Sequence, residues 1–441
     1  MVIRGAERSF YAPVDEELQD LQRRLLQVGN GGHPTFAAAV QHLFGSPGKL
    51  LRPTLVFLSA RFGPSTDREV VLNLAESLEL VHTASLVHDD IVDDALLRRN
   101  VATVNATWDD DVAIIVGDYL FAKAYALAAV LPKPEVIAIV AQTVFALCDG
   151  ELNEVTAGRG LPTESAYFER IELKTASLYA ACCQGAALLA DAEPEHVAAL
   201  GAYGTNLGLA FQITDDVLDV AGDEADFGKT VGRDLAEGMA TLPMIYAVEE
   251  TADRSLAGRI LAPGKSAGEV RELLRIIRAS GGVERAREKA LAFHDAALAA
   301  LAALPDRPER DALREIAEFV VRRVRLAGLS PGRPPRRRPP RRRRRRAPPG
   351  TGTGVARSGR GISSEPYDPT PRVCTGTGSK VTPSSSAVSV FLVPSYIPTT
   401  IASLVIETPC VCAHPPVPHC PLTHDGMWKV SPSFGSLPLT S

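Results

Sequence analysis

The stretch LNLAESLELVHTASLVHDDIVDDALLRR, Leu72 to Arg99, decides how this chain folds. Its apolar residues recur at three- and four-residue steps: Leu72, Leu74, Leu78, Leu80, Val81, Ala84, Ser85 and Val87 trace one wide helical face. A face that broad implies a helix buried in the middle of a bundle. The character then reverses. Asp89, Asp90 and Asp93 crowd the end of the same helix, with Asp89 and Asp93 one turn apart. Like charges at this spacing oppose helix formation, so a cation or a well-solvated cleft belongs beside them.

Outward from this stretch, residues 1–329 keep the same texture. Ala, Leu, Glu and Arg dominate, and helical patterns cover about 17–29, 35–60, 112–131, 134–158, 165–191, 194–220, 239–260, 267–280, 283–303 and 308–327. Alternation of the kind that makes strands and hairpins is absent, so the fold predicted is all-α, one large single-domain helical bundle. Near residue 330 a different polypeptide begins. From Pro331 onward there are 15 Lys or Arg against 4 Asp or Glu, and 20 of the 33 prolines; residues 1–330 carry 32 basic and 48 acidic residues. Residues 330–441 therefore read as an Arg/Pro-rich, then Ser/Thr/Pro-rich, disordered tail. A shifted or read-through frame is the favoured origin of that composition.

An acidic body excludes non-specific nucleic-acid binding as its default role. Only Cys148, Cys182 and Cys183 lie in it, too few for a disulfide scaffold. The N-terminus turns acidic before any apolar run, and no uninterrupted apolar run in the body is long enough to cross a bilayer; a soluble, cytoplasmic protein is the expectation.

A second acidic helix end, FQITDDVLD, repeats the first: Asp215, Asp216 and Asp219 have the spacing of Asp89, Asp90 and Asp93, again after an apolar run. One such cluster is commonplace on a protein surface; two in one helical domain point to carboxylates facing each other. Oxygen-only ligands suit a hard cation such as Mg²⁺, which shares its shell with phosphates. The chemistry implied is ionisation of a C–O bond with a metal-stabilised diphosphate leaving group. Arg98 and Arg99 follow the first cluster, and Lys229 lies in GKTVGRD after the second. In PGKLLRP, Lys49 and Arg52 read as one helical face, suited to an anion held without metal.

Together, GKLLRP, HTASLVHDDIVDDALLRR, VGDYLFAKA, LKTASLY, GLAFQITDDVLD, GKTVGRDL and TLP resemble, in order, the trans-type isoprenyl diphosphate synthases, the all-α polyprenyl synthase family, over about residues 15–326. The resemblance implies an isoprenoid-synthase type of bundle that condenses isopentenyl diphosphate with an allylic diphosphate. It implies Asp89, Asp93 and Asp215 as ligands of several Mg²⁺ ions, supported by Asp90, Asp216 and Asp219. Arg98, Lys174 and Lys229 would hold the allylic diphosphate. Lys49, Arg52, His82 and Arg99 would hold isopentenyl diphosphate, and Thr175 and Gln212 would line the reacting centre. A homodimer is implied, as is peripheral membrane association through a long product.

The sequence departs from the family in two loops. Asn100-Val101-Ala102 stands where a Gly and a Pro are usual, and Gly238-Met239-Ala240 lacks the usual Lys, which predicts weaker substrate binding or slower ionisation. Ala84 and Ser85 lie about a turn before Asp89, where the growing chain would descend. Their small size predicts a long, all-trans product of the hexaprenyl-to-decaprenyl class. Two competing readings are a class I terpene cyclase and a catalytically inactive regulatory subunit.

Overall fold

The structure, a computed structural model, describes residues 10–327 apart from 46–47, 65–66, 99–100, 157–159, 223–230, 252 and 254, with side chains only as far as residue 322. Arg99, Lys229 and the tail after residue 329 lie outside the described residues.

The described residues are helices with one minimal strand pair. The order is α1 (Asp15–Gln27), α2 (Pro34–Phe44), α3 (Leu51–Ala60), α4 (Arg68–Val92), β1 (Leu97–Arg98), β2 (Val101–Ala102), α5 (Val104–Thr107), α6 (Asp110–Ala129), α7 (Pro134–Thr156) and α8 (Glu164–Ile171). A π-helical turn, Glu172–Ala176, leads into α9 (Ser177–Leu189). Then come α10 (Pro194–Ala221), α11 (Arg233–Glu237), α12 (Leu242–Glu250), α13 (Leu256–Leu261), α14 (Ala267–Ala279), α15 (Gly282–Ala300) and α16 (Pro308–Ala327). Side-chain caps start many of them: Asp67 accepts from the N–H of Glu69, Asp109 from Val112 and Thr163 from Ala166.

α4 and α10 are the central helices. Leu72, Leu74, Leu78, Leu80, Val81, Ala84 and Val87 of α4 are all buried, as its periodicity requires, whereas Ser85 is only half-buried. α10 runs against α9, α15 and α16, and α4 against α6 and α3. Cys182 and Cys183 are buried free thiols in α9.

Three expectations are corrected. The pattern over 35–60 is two helices, because the chain turns at Gly45 and Leu50 takes a left-handed conformation (φ 48°) immediately before α3. Lys49 therefore precedes the helix and does not share a helical face with Arg52; its Nζ lies 4.5 Å from the centre of the Phe319 ring. A hairpin-like ladder exists where none was expected, pairing Leu97 with Ala102 and Arg98 with Val101. At two residues per strand it is too short to leave an alternation signal. Arg68–Val92 and Asp110–Ala129 are long and apolar enough, by length and composition, to cross a membrane, but Glu76 and Glu79 interrupt α4 and Asp118 and Lys123 interrupt α6, so neither holds an uninterrupted apolar run, as expected. The apolar window of α4 is two-thirds buried within the fold, as a core helix would be.

Candidate active site

The first aspartate motif ends α4. The N–H of Asp93 still donates to the carbonyl of Asp89 (2.9 Å), so the one-turn spacing survives to the helix end. Asp94 then turns left-handed (φ 49°). Its N–H donates to the carbonyl of Ile91, and that of Ala95 to the carbonyl of Asp90. This is a Schellman termination with aspartate where glycine is usual. Asp94 thus stops the helix, and Asp89, Asp90 and Asp93 are left at its tip. Asp90 is buried and accepts from Nε of Arg98 at 2.8 Å, which folds the residues after the motif back over it.

Facing this tip are side chains that composition alone did not single out. Glu151 and Glu154 of α7 each place a carboxylate oxygen within 4.8 Å of one another and of Asp93. α7 comes this close because residue 150 is glycine: a Cβ there would lie 2.9 Å from the backbone nitrogen of Lys174. Lys174, on the π-helical turn, reaches Glu151 at 2.6 Å and Glu154 at 3.1 Å. Burial alone would lower its pKa, but Glu154, Asp89 and Glu151 raise it above the ordinary lysine value. Burial, with Glu151 and Asp93 adding and Lys174 and Arg98 opposing, pushes Asp89 up to about 7. Asp90 and Asp93 are raised for the same first reason, burial. Carboxylates held this close, with oxygen donors only, fit a hard divalent cation.

The second motif ends α10. Gly208 lets α10 approach the π-helical turn, where an added Cβ would lie 2.6 Å from Cα of Ala176. One turn later Gln212 meets Thr175, whose Oγ1 donates to Oε1 at 2.8 Å. Nε2 of Gln212 donates to Oδ1 of Asp216 at 2.9 Å, and the buried Tyr167 hydroxyl donates to its Oδ2 at 2.6 Å. Both oxygens of Asp216 are thus engaged by protein. Burial still raises it to about 6, with Tyr167, Gln212 and Arg170 holding it down. Asp215, one residue earlier, is exposed.

The two motifs meet at Arg233. Its backbone N–H, and that of Asp234, donate to the two carboxylate oxygens of Asp219 at 3.2 and 3.3 Å. Its guanidinium lies 3.9 Å from Asp93. One residue therefore contacts both acidic helix tips across a shared opening. Arg170 adds a second, nearly buried link, 3.7 Å from Glu154 and felt electrostatically by Asp216.

A separate basic group lies beside α3. Nη1 of Arg52 is 2.9 Å from Nε2 of His82, which must be the acceptor because guanidinium only donates. The Arg52 guanidinium lies 4.7 Å from the centre of the Tyr179 ring, and its Nε is buried with no hydrogen-bond partner among the described residues.

The sequence expectations thus gather in two places: Asp89, Asp90, Asp93, Arg98, Lys174, Thr175, Gln212 and Asp216 around the paired tips, Arg52 and His82 at the basic group. Glu151, Glu154, Arg170, Tyr167 and Arg233 were missed. Glu151 and Glu154 repeat an acidic i, i+3 spacing in α7, a signal as good as the one that marked the aspartates.

The polyprenyl synthetase family model matches residues 33–277, more than half of the chain. The chain belongs to that family. It is a prenyltransferase of the trans-isoprenyl diphosphate synthase type. It is 38% identical over 326 residues to the nonaprenyl diphosphate synthase of Mycobacterium tuberculosis, covering 73% of this chain and 95% of that one. It is 35% identical over 317 residues to heptaprenyl diphosphate synthase component 2 of Geobacillus stearothermophilus, covering 72% and 98%. Among solved structures, a polyprenyl synthase from Caulobacter crescentus complexed with calcium and isoprenyl diphosphate superposes with a TM-score of 0.67 at 31% identity, covering 73% of this chain and 99% of the other.

Proposed function

We propose that this prenyltransferase condenses isopentenyl diphosphate with an allylic diphosphate, repeatedly, to make a long all-trans polyprenyl diphosphate. The convergence of the two acidic tips on Arg233 carries the reading: carboxylates from both motifs face one opening, with Lys174 and Arg98 beside them.

In this scheme Asp89 and Asp93 on one side and Asp215 on the other, with Glu151 and Glu154 close by, would hold Mg²⁺ ions. Bound there, the ions neutralise the charge that develops on the departing diphosphate. The chain's own residues do the rest. Asp90 anchors Arg98, and Lys174 carries a fixed positive charge at the opening. Gln212 is clamped from both ends, by Thr175 on its carbonyl and Asp216 on its amide, so the surface facing the reacting carbon is preorganised. Arg52, with an unmatched buried Nε, and His82 would orient isopentenyl diphosphate, joined by Lys49 from the preceding loop. The allylic C–O bond breaks, the isopentenyl double bond attacks the cation, and the released diphosphate takes the proton lost as the new double bond forms.

Small residues at positions 84 and 85, about a turn before Asp89, support a long product. Ile114, Ile115 and Tyr125 of α6 and Phe145, Leu152 and Val155 of α7 are exposed apolar side chains on packed neighbours, which supports a homodimer through that face. The likeness to a component 2 protein favours a second assembly, pairing with a different subunit; light scattering on the purified protein separates the two. The activity itself is tested with labelled isopentenyl diphosphate, an allylic primer and Mg²⁺. Consumption of the label into extended diphosphates is expected. Hydrocarbon from primer alone would indicate a cyclase instead, and no turnover would indicate an inactive subunit.

A further inference from the structure

We propose that Arg233 is a diphosphate-binding residue: it pairs with Asp93 in the free protein and turns to the allylic diphosphate in the loaded one. The inference rests on the reading of the opening as a prenyl-diphosphate site.

The backbone at Arg233 is tied to the second motif, while its side chain reaches out half-exposed. Gly232 is left-handed (φ 81°), and its N–H donates to the carbonyl of Asp219 at 2.8 Å. With the two N–H groups on the Asp219 carboxylate, three successive backbone donors tie the start of α11 to the second motif. The side chain then leaves this anchor towards the first motif. Its Nε is held by Glu237 at 2.8 Å, and its Nη2 stands 3.9 Å from Asp93, an ion-pair distance too long for a hydrogen bond.

Its neighbours are more committed. Lys174 sits between two glutamates at 2.6 and 3.1 Å and is 24% exposed; Arg98 is bonded to buried Asp90 at 2.8 Å and is 32% exposed; Arg233 is 46% exposed and keeps guanidinium donors to spare. The exchange follows from charge. Divalent cations on Asp93 remove the attraction that draws Arg233 towards it and replace it with repulsion. Glu237 keeps Nε, and the Nη donors released from Asp93 are left for the incoming diphosphate, whose oxygens a guanidinium can meet two at a time. Arg233 also brings positive charge from the far end of a helix whose other end, Gly238-Met239-Ala240, has none.

The test is calorimetric titration of inorganic pyrophosphate into the full chain with saturating Mg²⁺, alongside steady-state kinetics. Arg233→Gln should bind pyrophosphate about 10- to 100-fold more weakly, the size of a lost charge-assisted contact. KM for the allylic diphosphate should rise by a similar factor, while KM for isopentenyl diphosphate stays within about twofold. Mg²⁺ alone should bind Arg233→Gln at least as tightly as wild type, because Asp93 has lost a competing cation; a merely structural defect would weaken both ligands. Arg233→Lys should recover part of the loss, and Glu237→Gln, which frees the guanidinium, should bind pyrophosphate more tightly than wild type. Equal pyrophosphate affinity in wild type and Arg233→Gln overturns the role of Arg233 alone. Absence of Mg²⁺-dependent pyrophosphate binding in wild type overturns the reading of the site and this inference with it.

Discussion

Replacing Asp89 by Asn should stabilise the metal-free protein while removing its activity, and the size of the effect can be worked out. Burial raises the Asp89 carboxyl from an ordinary 3.8 to about 7 in the folded state. The folded protein therefore binds more protons than the unfolded chain between those values, so stability falls as pH rises through that window. Each pKa unit corresponds to about 1.4 kcal/mol, so the full shift would cost about 4 kcal/mol above pH 7. The carboxylate is partly open to solvent, and halving for screening leaves about 2 kcal/mol. Asparagine removes the charge and hence the cost. In EDTA at pH 8, the Asp89→Asn protein should melt higher by about 4–8 °C, taking a shift of 2–4 °C per kcal/mol for a domain of this size. At pH 4 the two proteins should melt together, because the wild-type carboxyl is then protonated when folded. Calorimetric melts across pH 4–8, with and without Mg²⁺, measure this directly. A variant less stable than wild type at pH 8 in EDTA would refute the premise that the site holds carboxylates in tension until a cation arrives. Prenyl transfer should fall by several orders of magnitude in the same variant, consistent with loss of charge stabilisation at the leaving group.

Three further outcomes are expected. Tyr167→Phe strands one oxygen of buried Asp216, which should cost about 1–3 kcal/mol in urea unfolding and lower kcat more than KM, because Gln212 loses its fixed partner. Ala84→Phe should shorten the product, read by chromatography of the dephosphorylated alcohols, and destabilise the protein by about 1–3 kcal/mol because Ala84 is fully buried; an unchanged chain length places the elongation path elsewhere. Ile115→Glu, on the exposed face of α6, should dissociate a homodimer in sedimentation velocity without unfolding the subunit; an unchanged sedimentation coefficient would exclude that face as the interface.

Much of this molecule is legible in its sequence. The apolar stripe of α4 is continuous over four turns, and only burial on that side satisfies it. The aspartates stand out because the run that precedes them is so apolar, and their repetition after α10 makes chance a poor explanation. The role of Asp94 shows only in the backbone: its left-handed conformation makes it the stop that leaves the others at the tip. Lys49 and Arg52 look like neighbours on a helix because they stand three positions apart, until Leu50 breaks the path between them.

By itself, the order of residues determined that the chain is helical, that two helices end in carboxylates, and that a diphosphate chemistry suits them, because periodicity and local charge are properties of neighbouring residues. Tertiary structure decided which groups share the opening. Glu151 reaches Lys174 because a glycine lets α7 approach the π-helical turn, Tyr167 reaches Asp216 across 49 positions, and Arg233 spans from Asp219 to Asp93. Contacts between distant segments depend on how closely helices pack, and close packing is set by the absence of a Cβ at a few positions, an absence that has meaning only when the opposing backbone is in place.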